Sequence, residues 1–138
     1  MTTETKSTKV ESYEHACEIL GQDPNDLPGV YNLPEKHRKY YTDQHKLITI
    51  IEAQNKISEE TPEWKIDFSE DNDQLKYYPW PEVVKDESKS GLGLSLYAVY
   101  YSSSFSHVGS RLYLGSESDA KYVFEKFKDL YESFHLYK

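Results

Sequence analysis

Seven side chains in the second half of the chain are suited to recognition: Tyr77, Tyr78, Trp80, Tyr97, Tyr101, Arg111 and Tyr113. Rings carried on strands can stack single-stranded bases or anchor a protein interface. Arg111 adds a planar cation, which binds anions and lies flat on aromatic faces. The same residues also fit a plainer arrangement, a ring-rich core whose hydroxyls reach water and an arginine whose stem packs on tyrosine while its head pairs with a carboxylate.

Other combinations fail on spacing. Asp67, Ser69, Asp71 and Asp73 alternate like the first ligands of a calcium loop. Asn72, however, stands where that loop needs glycine, and Tyr78 where it needs a bidentate glutamate. His37 and His45 have no HExxH or Cys-His pattern around them. Ser106 and His107 are adjacent, so their side chains diverge, and no nucleophile elbow surrounds them. Gly91-Leu92-Gly93 lies within a strand pattern and opens no helix, unlike a phosphate loop. The sequence therefore assigns no catalytic residue, no metal ligand and no cofactor. Cys17 has no second cysteine to pair with and reads as a small buried apolar residue, compatible with a reducing compartment.

Charge narrows the partners. The formal net charge is -8, and Arg38 and Arg111 are the only arginines. This balance opposes nonspecific phosphate binding, which gains affinity when Lys and Arg displace counterions. Lys121, Lys126 and Lys128 share one predicted helix, but acidic residues interleave with them and make a solvated face. No stretch approaches the ~20 apolar residues of a membrane span, and the N-terminus lacks the apolar region of a secretion signal. A soluble protein without membrane partners is expected.

The elements that would position these residues follow from periodicity. Ala120, Val123, Phe124, Phe127, Leu130, Tyr131 and Phe134 recur at helical spacing, predicting one long amphipathic helix capped by Ser116. Upstream, Arg111 to Leu114 alternates, so Leu112 and Leu114 can face the core while Arg111 and Tyr113 face away. Ser12 can cap a short helix ending at Gly21, and Pro34 can open a second helix from about Glu35 to Lys56 whose C-terminal half is apolar.

Between these helices and the last one, Trp64, Ile66 and Phe68 alternate like a short extended segment. In LKYYPWPEVV, Pro79 and Pro81 predict a strand at an edge or with a bulge. GLGLSLYAVYY predicts a strand with Leu92, Leu94, Leu96, Ala98 and Tyr100 on one face and Tyr97, Val99 and Tyr101 on the other, a pattern suited to a central position. The expected fold is α+β: a small antiparallel sheet of three to four strands, with a long C-terminal helix and N-terminal helices packed on one face. Residues 1–10 read as a disordered tail and 11–138 as a single α+β domain.

YEHACEILGQDP (13–24), LPEKHRK (33–39), KYYPW (76–80), the Gly-Leu-Gly-Leu-Ser strand (91–95), VGSRLYL (108–114) and the A-x-Y-x-x-x-x-F-x-x-L-Y pattern (120–131) occur together. In this combination the chain resembles a family of small proteins encoded by phages and prophages of Bacteroidetes. The resemblance covers about residues 12–134. It implies a viral context, in the host bacterial cytoplasm or the virion, and brings no catalytic residue or cofactor. Tyr113 stands where the family's strand carries cysteine, which argues against a redox or metal role there.

The functional expectation is a non-enzymatic phage-encoded protein-interaction module, a virion component or host-directed adaptor. Its partner would be another viral or host protein or a second copy of the chain. One alternative is a single-stranded nucleic-acid-binding protein using aromatic stacking. A second is a small-ligand-binding protein or enzyme with a pocket near Arg111.

Overall fold

The computed structural model describes residues 7–27, 29–65, 74–86, 91–102 and 112–135; for Asp86, Gly91, Leu92, Tyr97, Tyr100, Tyr101, Ser102, Phe134 and His135 it describes the backbone alone. The elements run α1 (Tyr13–Leu20), α2 (Glu35–Ile57), β1 (Lys76–Asp86), β2 (Gly91–Ser102), α3 (Glu117–Lys126) and α4 (Lys128–His135). The class is α+β.

Helix α1 forms where its ends are marked. The Ser12 hydroxyl accepts from the His15 amide, and Gly21 leaves the helix with φ 70, returning its amide to Cys17 and Glu18 carbonyls. Its inner face buries Tyr13, Ala16 and Cys17. Helix α2 contributes Leu47, Ile50, Ile51 and Ala53 to the same core, joined from the C-terminal side by Leu114, Ala120, Val123, Phe124 and Tyr131.

The C-terminal helix is not one long rod. Phe127 leaves helical geometry at φ -118, ψ 36, dividing the segment into α3 and α4. No proline or glycine marks this break, so tertiary packing outweighs local propensity here. The bend lets α4 lie on α2 and reach β2, while α3 lies against both strands. Both halves still bury the anticipated stripe, with Phe127 and Leu130 half-buried against the core; the Phe134 side chain lies outside the described residues.

β1 and β2 form an antiparallel ladder from Lys76↔Ser102 to Asp86↔Gly91, with a register shift between Trp80 and Pro81. Trp80 pairs with Ala98 but Pro81 with Leu96, so Tyr97 is the extra residue of a bulge. A bulge of one residue reverses the alternation of the strand that carries it. Leu94 and Leu96 before it and Val99 after it therefore all pack on the core, correcting the expectation of an unbroken alternation along β2.

Among the described residues the third strand is a single bridge, Tyr77↔Leu114, and it lies beside β1 and not beside β2, which the sequence suggests as the central strand. Tyr77 N–H donates to Leu114 O at 2.9 Å and Leu114 N–H to Tyr77 O at 2.8 Å. Pro79 and Pro81 share the backbone orientation of Tyr77 and carry no N–H, so this pairing cannot extend past Tyr77. Among the described residues 112–114 the expected strand is reduced to that one pair. On β2, Leu94 N–H donates to the buried carboxylate of Glu132 on α4 at 3.1 Å.

Residues 8–10, which the sequence reads as part of a disordered tail, are held by the fold. Val10 is 0% exposed and belongs to the core. Its N–H donates to Gln54 Oε1 at 2.9 Å, its carbonyl accepts from the Tyr122 hydroxyl at 2.6 Å, and Thr8 O accepts from Gln54 Nε2 at 3.0 Å. Burying a valine is worth ~1.5–3 kcal/mol and each bond ~0.5–1.5 kcal/mol. Ordering three residues costs about 3–6 kcal/mol. The two sides nearly cancel, so this arm is held close to the margin.

Candidate interaction surface

Strand alternation divides the predicted recognition residues between two faces. Tyr77 pairs with buried Leu114 and packs half-buried against the core. It belongs to the interior and leaves the candidate surface. Tyr78 and Trp80 stand on the opposite face, with ring centroids 6.2 Å apart. Tyr113, next to Leu114 but on the outer side, brings its ring edge-on to Tyr78 at 5.6 Å. Three rings thus line up as Tyr113, Tyr78, Trp80, each pair within the range where aromatic contacts are favourable. Burial raises the Tyr113 phenol pKa, and the neighbouring Tyr78 raises it further.

The cluster is closed at one end and open at the other. Lys76, at the start of β1, is fully buried, and its ammonium donates to the Gln74 carbonyl at 3.1 Å. Trp80 is 52% exposed. A half-open tryptophan within a strand, its ring against Tyr78 and that of Tyr78 against Tyr113, is an exposed apolar step.

Of the other predicted residues, Tyr101 stands opposite Tyr77 in the register, while Tyr100, outside the predicted set, is the partner of Tyr78. Tyr97 is the bulge residue. Their side chains, and Arg111 altogether, lie outside the described residues. The structure therefore brings together Tyr78, Trp80 and Tyr113 and separates Tyr77 from them. The 97-to-101 assignment rested on continuous alternation along β2, which the bulge breaks.

Two residues with defined roles carried no signal in the sequence reading. Gln54 and Asn55, adjacent near the end of α2, are both buried. Gln54 brackets Thr8 O and Val10 N, and Asn55 brackets Tyr113 O at 3.0 Å and Gly115 N at 3.1 Å. Each amide thus reads the carbonyl of one residue and the N–H of the residue two further on. Asn55 in this way fixes the segment carrying Tyr113. The available signal was a pair of amides in the apolar run IIEAQNKI, since a buried amide must find partners.

Among the described residues no three His, Cys, Asp or Glu side chains are placed to hold a metal ion, and no helix is long and apolar enough to cross a membrane. His45 Nε2 sits 3.4 Å from the Tyr13 hydroxyl, with His37 not part of that contact. Burial, followed by the hydrogen bond with Cys17, pushes the Tyr13 pKa up to about 12. Cys17 is buried beneath α1. The acidic run Asp67, Ser69, Asp71 and Asp73, the segment Ile66–Phe68, and Ser106-His107 lie outside the described residues. Compared with protein-family models, curated proteins and solved structures, the chain has no significant match.

Proposed function

We propose that this chain is a non-enzymatic, phage-encoded protein-interaction module, a virion component or host-directed adaptor, that engages a protein partner through the outer face of β1. The observation that carries the reading is Trp80, 52% exposed and backed by Tyr78 and Tyr113. Tryptophan and tyrosine dominate the energetics of interface centres because they offer a large rigid area at low entropic cost. The viral setting rests on the family resemblance of the sequence motifs.

The acidic balance favours a protein over a nucleic acid as the occupant. At net charge -8 the 24 acidic residues outnumber the 16 lysines and arginines, which opposes binding to a phosphate backbone. About half of a tryptophan's ~250 Å² remains available, roughly 130 Å², worth ~3 kcal/mol when covered. Trp80→Ala should weaken partner binding about a hundredfold and leave folding intact, because the ring lies outside the core. Binding titrations at low and high salt test the reading. Near-constant affinity supports it, and a steep fall with salt would favour the stacking of single-stranded nucleic acid instead.

A further inference from the structure

We draw no further inference here: the strongest candidate, the surface patch at the far end of the β1–β2 hairpin, where Val83 is 58% exposed although its register partner Leu94 is buried, carries nothing because nothing in the structure shows what covers it.

Discussion

Replacing Gln54 by leucine keeps the volume of the side chain and removes its three hydrogen bonds, so the outcome measures the polar contacts and not a cavity. Gln54 is 0% exposed. Its loss leaves the buried Val10 N–H without an acceptor, which costs ~1–3 kcal/mol, and takes from Asp119 one charge-assisted bond of ~1.5–3 kcal/mol. Asp119 keeps the Ser58 hydroxyl, and the arm can lift off, which rehydrates Val10 and returns its conformational entropy. These escapes hold the net loss to about 2–3 kcal/mol, or roughly 6–15 °C in Tm for a chain of 138 residues. Because arm release also forfeits the Val10 contact, Val10→Ala should cost ~1–2 kcal/mol in the wild type but about 1 kcal/mol less in the Gln54→Leu background. Urea unfolding of the four proteins gives this coupling directly. Additivity within ~0.3–0.5 kcal/mol would show that Gln54 and Val10 act separately and that the bracketing geometry stores no coupling.

Other expectations follow from the same structure. A Cβ on Gly115 would stand 2.5 Å from Thr61 Oγ1 and 2.6 Å from Trp64 Cγ, so Gly115→Ala should destabilise by ~1–3 kcal/mol in a thermal melt. Because the new Cβ would displace the Trp64 ring, the same variant should also change tryptophan fluorescence. For Tyr13 the folded pKa, pushed up to about 12, lies above the ordinary tyrosine value of 10.0. The unfolded chain then releases the proton first, so this contribution to stability is complete below pH 10 and declines as pH rises toward 12. Titration by phenolate absorbance should show Tyr13 and buried Tyr131 lagging the exposed tyrosines. Replacing Tyr31, 86% exposed in the α1–α2 connection, by alanine should leave the unfolding midpoint unchanged.

What the sequence made legible is what local rules encode. Ser12, Gly21 and Ser116 mark helix ends through hydrogen bonds within a few residues, and the structure places each where its chemistry indicates. The apolar stripe on the last segment fixes which side is buried, because periodicity is a property of the segment itself. The break at Phe127 was not legible, since it answers to the fit of α4 against α2 and carries no local breaker. The bulge at Tyr97 was half legible: the prolines opposite it signalled an irregularity, but not on which strand the extra residue would fall. That single residue moved Val99 to the core side, and with it the assignment of which tyrosines could share a surface. Val10 reads as tail because its neighbours are polar; its partners, Gln54 and Tyr122, lie 44 and 112 residues away.

The central claim, that the outer face of β1 meets a protein partner, is tested most directly by placing a photo-crosslinking residue at position 80 and, as a control, at the exposed position of Lys121 on α3. Illumination in the cells where the protein is made should yield one discrete protein adduct from position 80 and none from position 121, unchanged by raised salt in the extract. An adduct of equal yield from both positions, or none from position 80, contradicts the account.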